Sequence, residues 1–279
     1  MAEKVSTGVA KLDQMLDGGF MQGSIILAIG EPGTGKTTLL RNFLYQGVTN
    51  GEDCIYFVTN RSLDHILGNM EKFGWNVKDK ENIRFILYDG VVNERTKSFV
   101  GNFEDLIDIT YNCEKLIGTF TKKKTRMIVD ELSYLFLMNN REVVFKFLHR
   151  ISQILRKNNI SCLIEVQKGM LDPSIVTALE SMTDGTIELK RENNRRDLRI
   201  SRLEEKSVKA DWISFDIEAG VGIDMDAERT LDEWEKILME RDEQEDVTRI
   251  KSLLKDVRSG SLSRSDVKDS GIFKKLKRK

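Results

Sequence analysis

One eight-residue segment near the N-terminus carries the residue types and the spacing of a phosphate-binding loop. Residues 30–37 read GEPGTGKT and match the pattern G-x-x-x-x-G-K-[ST]. In such a loop, glycines let backbone N–H groups turn toward phosphate oxygens, Lys36 reaches the β- and γ-phosphates, and the Thr37 hydroxyl completes the ligands of Mg²⁺. The predicted nucleotide-binding residues are Glu31, Pro32, Gly33, Thr34, Gly35, Lys36, Thr37 and Thr38.

The segments on either side of the loop are those that a nucleotide site requires. Residues 25–29 (IILAI) form an apolar run typical of a buried strand, and apolar residues recur at helical spacing over 39–44. A helix that begins near Lys36 would add the positive end of its dipole to the anion site. The alternative is a glycine-rich turn that binds nothing, but this flanking pattern favours a nucleoside-triphosphate site.

Polar residues at the ends of two later strands supply the second half of the predicted site. Asp130 ends the strand 126–130 (RMIVD), where a doubly wound sheet would place it to hold a Mg²⁺-bound water beside Thr37. Glu131 follows, and it could act as the general base that activates the attacking water, or simply be an acid that starts a helix. Gln167 follows the strand 160–166, and it could sense the γ-phosphate or be a loop glutamine without such a role.

The remaining pattern alternates strands with helices. Strands are predicted at 54–59, 83–87, 126–130 and 160–166, and helices at 63–73, 102–120 and 141–157. Three more strands, at 186–190, 198–203 and 213–217, are separated by turn residues and predict an antiparallel continuation. The predicted fold class is α/β, with a doubly wound, mainly parallel sheet and a helical C-terminal extension.

Length and composition favour one large domain with an appendage. The chain has 279 residues, of which 40% are hydrophobic, and we expect a domain over 1–224, a charged helical extension over 225–258 and a flexible basic tail over 259–279. Its three cysteines (Cys54, Cys113 and Cys162) lie far apart, which favours apolar filler in a reducing compartment. The sequence shows neither an apolar run long enough to span a bilayer nor a signal core, so a cytoplasmic location is expected.

Charge is distributed unevenly in the C-terminal part of the chain. Residues 226–246 hold ten acidic and three basic residues, whereas residues 247–279 hold eleven basic and three acidic ones. Two apolar stripes at helical spacing, over 231–238 and 250–257, predict helices that dock on the core, on each other or on a partner. The basic end could contact nucleic acid, an acidic membrane surface or an acidic block of a neighbouring subunit, or remain solvated.

The residues that lead into the phosphate-binding loop carry a family resemblance. Ser6-Thr7-Gly8-Val9, Leu12-Asp13, Gly18-Gly19-Phe20 and Gly23-Ser24 precede the loop at a spacing that resembles the start of a KaiC domain, and residues 184–220 resemble that family's last strands. The resemblance covers roughly residues 4–224, and short archaeal members with one such domain are similar in size. It implies a RecA-like core, ATP as ligand, Mg²⁺ as cofactor, and frequent assembly into rings or filaments with nucleotide at the subunit interfaces.

The chain departs from the family pattern after its second long strand. KaiC-like domains usually carry a pair of glutamates there, one of which activates water, whereas this chain has Asn60 and Arg61. Asparagine can orient a water but cannot take its proton. Because general-base assistance contributes about 10²–10⁴-fold to a rate, hydrolysis is expected to be slow or absent unless Glu131 serves as the base.

Two functions remain open on the sequence. The first is an ATP-binding switch, in which the Mg-ATP state controls assembly or a protein partner. The second is a recombination protein of the RecA/RadA branch that acts on single-stranded DNA. The chain lacks an obvious helix-hairpin-helix module or a strip of aromatic and basic residues, and its net charge is −1, so nucleic acid is a possible but unsupported partner. The basic stretch 190–202 resembles the family's interface finger, or is a solvated hairpin.

Overall fold

The computed structural model describes residues 3–87, 98–193, 195–205, 207, 211–225, 252 and 255–256. The strands of this part of the chain are β1 (Lys4–Val5), β2 (Phe20–Met21), β3 (Ile25–Gly30), β4 (Asp53–Val58), β5 (Ile83–Leu87), β6 (Ser98–Val100), β7 (Thr125–Asp130), β8 (Ser161–Gln167), β9 (Gly185–Glu192), β10 (Arg195–Leu203), β11 (Ile213–Glu218) and β12 (Gly222–Asp224). The helices are α1 (Ala10–Met15), α2 (Lys36–Thr49), α3 (Leu63–Lys72), α4 (Leu106–Ile117), α5 (Ser133–Met138), α6 (Arg141–Lys157) and α7 (Pro173–Met182).

Ten strands form one sheet, in the order β12-β11-β10-β9-β3-β8-β7-β4-β5-β6. The strands from β9 to β6 in this order pair in parallel, whereas β10, β11 and β12 continue the sheet in antiparallel pairing. The doubly wound, mainly parallel fold with an antiparallel continuation is therefore confirmed. β3, β4 and β7 are buried along their whole length, as expected for parallel strands covered on both faces.

The two faces of the sheet carry separate hydrophobic cores. Helices α1, α2 and α3 cover one face, where Phe43 and Ile66 are fully buried. Helices α4 to α7 cover the other face, where Ile109 and Val144 are fully buried. Because the helices lie on both faces, the ends of the parallel strands remain open at the edge where a doubly wound sheet binds ligands.

The leader before the phosphate-binding loop is held by one carboxylate. Asp13, in α1, accepts hydrogen bonds from the Thr7 backbone N–H (2.6 Å), the Thr7 hydroxyl (2.7 Å) and the Ser6 hydroxyl (2.5 Å). Gly8 lies against α2 with φ +81°, where a Cβ atom would approach the Asn42 carbonyl oxygen to 2.7 Å. These contacts explain why Ser, Thr, Gly and Asp occur together in the leader.

The predicted helix over 102–120 is wrong at both ends. The helix begins at Leu106, because the Asp105 side chain accepts hydrogen bonds from the N–H groups of Ile107 and Asp108, both at 3.1 Å, and thereby caps it. Phe103 has helical spacing in the sequence, but it packs in the core from the turn that precedes the helix.

The predicted helical extension 225–258 and basic tail 259–279 lie outside the described residues, apart from Met225 and residues 252, 255 and 256. Met225 is buried against the core. The division at residue 224 and the roles of the extension and tail stay predictions. No helix in the described part of the chain is long and apolar enough to cross a membrane.

Candidate nucleotide-binding site

The loop 30–37 joins β3 to α2, and its glycines meet two distinct steric demands. Gly33 and Gly35 have φ of +76° and +105°, in the left-handed region that favours glycine. At Gly30, a Cβ atom would come within 2.4 Å of the Leu189 carbonyl oxygen of the adjacent β9. The loop is therefore built as the motif predicts, with a strand before it and a 14-residue helix after it.

The loop presents its residues unevenly. Glu31, Pro32 and Gly33 are exposed, whereas Thr34 and Lys36 are buried. The Lys36 ammonium donates to the Glu31 carbonyl oxygen at 3.0 Å and lies 3.6 Å from a Glu165 carboxylate oxygen. The lysine thus folds back over its own loop.

Asp130 lies at the end of β7, as predicted, but half of its carboxylate is already engaged. Its Oδ2 atom accepts a hydrogen bond from the Tyr56 hydroxyl at 2.6 Å and lies 3.5 Å from Arg41 Nη2. Arg41 in turn donates to the Tyr56 hydroxyl at 2.8 Å. Asp130 is completely buried, and its Oδ1 atom has no hydrogen-bond partner among the described residues.

Glu165 is a site residue that the sequence interpretation missed. It lies in β8, and its Oε2 atom accepts a hydrogen bond from the Thr37 hydroxyl at 2.8 Å. Burial, followed by the negative charge of Asp130, raises the pKa of Glu165 to about 8 although Lys36 acts in the opposite direction. The available signal was a carboxylate inside a predicted buried strand, which is costly without a partner.

Glu131 occupies a strained position directly after Asp130. Its φ is +70°, which is uncommon for a residue with a side chain and is typical of functional sites. The Thr59 hydroxyl holds this turn, because its single hydrogen is shared between the Glu131 carbonyl oxygen at 2.7 Å and the Asp130 carbonyl oxygen at 3.0 Å. Burial raises the pKa of the Glu131 carboxyl, and its Oε1 atom has no hydrogen-bond partner in the described structure.

Two further predicted positions lie at the same edge of the sheet. Gln167 ends β8, paired with Gly30 in register, and its backbone N–H donates to the Ser133 hydroxyl at 3.0 Å. Asn60 directly follows Thr59 at the end of β4, and its Oδ1 atom is buried with no partner among the described residues. The structure thus brings both residues to the strand ends, and their roles stay predictions.

The basic hairpin over 190–202 is formed by β9 and β10 and reaches the phosphate-binding loop of its own chain. Arg196 donates to the Gly33 carbonyl oxygen at 3.2 Å and faces Arg191 across the hairpin. Partial burial, followed by the charge of Arg191, lowers the pKa of Arg196. Farther from the loop, Lys190 and Arg199 both lie over the Trp212 ring, with their charged groups 4.8 and 4.5 Å from its centroid.

The donor set fits Mg²⁺ bound together with a nucleotide. Asp130 offers a buried carboxylate oxygen without a partner in the described structure, and Thr37 offers a hydroxyl. Mg²⁺ prefers oxygen ligands and is usually held by one or two protein groups, water and substrate phosphates. Among the described residues there is no group of three or more His, Cys, Asp and Glu side chains arranged to hold a metal ion.

The sheet order, the loop and the residues around it define a P-loop nucleotide-binding protein with a RecA-like α/β core. The sequence profile of the family described as "ATPase: KaiC" matches residues 5–229. The chain belongs to this KaiC family of ATPases, a family of nucleotide-binding proteins within the RecA superfamily.

Relatives and a solved structure agree with this membership. A UPF0273 protein of Thermotoga maritima is 29% identical over 202 residues, which are 68% of this chain and 80% of that protein. A UPF0273 protein of Saccharolobus solfataricus is 32% identical over 142 residues, covering 48% of this chain and half of the relative's length. The crystal structure of a KaiC-like protein from Pyrococcus horikoshii superposes with a TM-score of 0.66 at 20% identity, covering 80% of this chain and 99% of that one, which shows the shared fold.

Proposed function

We propose that this protein binds Mg-ATP and uses its nucleotide state to control its own assembly or a protein partner, with slow hydrolysis. The observation that carries the proposal is the position of Lys36 and Thr37. Both begin α2, directly after a loop whose glycines have the positive φ that phosphate binding needs, and both contact the buried Glu165 of the neighbouring parallel strand β8. Membership in the KaiC ATPase family supports ATP as the nucleotide.

Glu131 is the proposed general base. Its carboxyl has a raised pKa, which brings it closer to the neutral range in which a base works best, and the Thr59 hydroxyl fixes the strained turn that places it. Asn60 can orient a water through its unpaired oxygen but cannot take a proton. Hydrolysis then depends on one carboxylate where related domains have a pair, which accounts for the slow rate proposed here.

An exposed apolar patch supports the assembly part of the proposal. Ile107 and Tyr111 lie one helical turn apart on α4 and are 83% and 65% exposed. Single exposed apolar residues are ordinary, but two adjacent ones form a surface that a second copy or a protein partner could cover.

The decisive experiment measures ATP binding and single-turnover hydrolysis for the wild type, Lys36→Ala and Glu131→Gln. Lys36→Ala is expected to abolish ATP binding, with the exposed Lys157→Ala as the matched control. Glu131→Gln is expected to keep binding and to lower the single-turnover rate by about 10²–10⁴-fold, with the exposed Glu142→Gln as its control. Unaltered ATP affinity in Lys36→Ala would refute the site.

Light scattering with and without Mg-ATP tests the regulatory part. A change in mass that follows nucleotide binding supports an assembly switch, whereas a constant mass leaves the control of a separate partner as the proposed role. Single-stranded DNA binding that falls steeply with salt concentration would instead favour the recombination function.

A further inference from the structure

A carboxylate that no sequence motif assigns occupies the centre of the proposed site. Glu165 is 3% exposed, and its two oxygens are divided between the two phosphate-loop side chains that matter most. Its Oε2 atom accepts the Thr37 hydroxyl hydrogen at 2.8 Å, and its Oε1 atom lies 3.6 Å from the Lys36 ammonium. The position depends on the sheet order, because β8 lies directly between β3 and β7.

The hydrogen bond to Thr37 fixes the direction in which that hydroxyl can bind a metal ion. A threonine hydroxyl has one hydrogen and two acceptor lone pairs. With its hydrogen directed to Glu165, its lone pairs are left for another partner, which is the orientation a Mg²⁺ ligand needs. A carboxylate can also accept hydrogen bonds from metal-bound water.

The aspartate that the sequence assigns to this task is engaged elsewhere. Asp130 Oδ2 accepts a hydrogen bond from the hydroxyl of Tyr56 in β4 and lies beside the guanidinium of Arg41 in α2. This oxygen is therefore already engaged by two buried side chains. Its contribution to the site is limited to Oδ1, which has no partner among the described residues. In the described structure, the Thr37 hydroxyl donates its hydrogen bond to Glu165 and not to Asp130.

A purely structural role explains the arrangement less well. Burying a carboxylate is costly, and an apolar residue would fill the same space in β8 without that cost. Asp130 and Glu131 add further negative charge around Glu165, against which Lys36 is the nearby cation. The ionised form of Glu165 is therefore unfavourable with Lys36 alone, and a divalent cation would stabilise it.

We propose that Glu165 orients Thr37 for Mg²⁺ and also accepts hydrogen bonds from metal-bound water, the second of which the sequence pattern assigns to Asp130. The inference rests on the proposed Mg-ATP function and adds a positioning residue from a strand outside the two motifs.

The test compares Glu165→Gln with Asp130→Asn, both nearly isosteric changes. Binding of a fluorescent ATP analogue is titrated with Mg²⁺ and repeated in EDTA, and Mn²⁺ bound with nucleotide is followed by electron paramagnetic resonance. For Glu165→Gln, we expect the half-saturating Mg²⁺ concentration to rise about 10–100-fold and the Mn²⁺ spectrum to change. Nucleotide affinity in EDTA is expected to hold or increase, because glutamine carries no negative charge that could repel the phosphates. Asp130→Asn is expected to shift the Mg²⁺ requirement less.

A coupling measurement separates positioning from general damage. In a Thr37→Val background the hydroxyl is gone, so adding Glu165→Gln is expected to raise the Mg²⁺ requirement much less than it does in the wild type. If Glu165→Gln does not fold, Glu165→Asp replaces it, because the shorter carboxylate keeps the charge but falls short of Thr37.

Specific results would overturn the inference. An unchanged Mg²⁺ requirement in the folded Glu165 variant, full additivity with Thr37→Val, or a larger effect of Asp130→Asn would each refute it while leaving ATP binding intact. Absence of ATP binding by the wild type, with and without Mg²⁺, would instead refute the proposed function itself.

Discussion

Arg126 supplies the sharpest test of what holds the phosphate-loop helix in place. It lies in β7 and is 1% exposed, and its guanidinium donates to both carboxylate oxygens of Glu52, with the Nη2 bond at 3.0 Å. It also donates to the carbonyl oxygens of Ser6 (2.6 Å) and Phe43 (2.9 Å) and lies over the Phe43 ring, 4.7 Å from its centroid. One side chain therefore ties the leader and α2 to the strand that ends in Asp130.

Arg126→Met keeps most of the apolar stem and removes the donors. Breaking a buried ion pair by removing one partner costs about 3–5 kcal/mol. The Ser6 carbonyl also loses a donor, which adds about 1 kcal/mol. The free energy of unfolding should therefore fall by roughly 4–6 kcal/mol. At about 2–4 °C per kcal/mol, the melting temperature should fall by roughly 8–24 °C.

Urea unfolding followed by circular dichroism measures the change, and an exposed pair supplies the control. Arg150 lies 3.8 Å from Glu114, with side-chain exposures of 57% and 49%, so Arg150→Met should cost less than about 1 kcal/mol. Glu52→Gln combined with Arg126→Met should cost less than the sum of the single changes, by about 0.5–3 kcal/mol, because the two side chains are in direct contact. Equal costs for Arg126→Met and Arg150→Met would refute the reasoning.

Three further predictions concern the leader, the thiols and a glycine. Asp13→Ala removes the acceptor of three hydrogen bonds and should lower the free energy of unfolding by at least about 2 kcal/mol; a urea-unfolding loss below about 0.5 kcal/mol would contradict this. Burial raises the pKa of the Cys113 thiol to about 12 and also raises the pKa of the other two cysteine thiols. A disulfide reagent at pH 8 should therefore modify all three cysteines only after unfolding. One rapidly reacting thiol in the native protein would be inconsistent with the fold. Gly19→Ala should greatly lower the melting temperature, because the added methyl would lie 2.1 Å from the Val5 carbonyl oxygen. At Gly51 φ is also positive but the space is open, so Gly51→Ala should cost only the backbone strain. Similar shifts for these two variants would show that the close approach of the leader is not limiting.

Local patterns allowed much of this fold to be predicted from the sequence. The strand at 83–87 and the helix at 141–157 were predicted with the observed bounds, because each presents an unbroken apolar pattern to the sheet. The phosphate-binding loop was predicted because its chemistry is confined to eight consecutive residues. Helix α7 was missed because its apolar positions lie in a short segment between loops. A signal for it was present, since Pro173 occupies the first turn, a position that favours helix initiation.

Strand order was beyond the reach of these local patterns, and it decides the composition of the site. The chain reaches β8 only after β7 and two helices, yet β8 lies between β3 and β7 in the sheet. No periodicity along the chain encodes that insertion, because the pairing of β8 with β3 joins segments more than a hundred residues apart. Asp130 could be assigned from its place after an apolar strand, whereas the contact between Thr37 and Glu165 exists only once the strands are in this order.

Two departures from local rules meet at Lys36. Glu165 is a carboxylate within a buried strand, and Glu131 is a non-glycine residue at φ +70°. Each would reduce stability if the fold were the sole constraint, and such violations are expected where a site is built. Lys36 forms an ion pair with Glu165 and lowers the pKa of Glu131 electrostatically. Both unusual carboxylates therefore interact with the lysine that the phosphate motif places at the β- and γ-phosphates. Asp130 is held on one side by the Tyr56 hydroxyl, whereas the Thr37 hydroxyl donates to Glu165, and this difference is the basis for proposing that Glu165 orients Thr37.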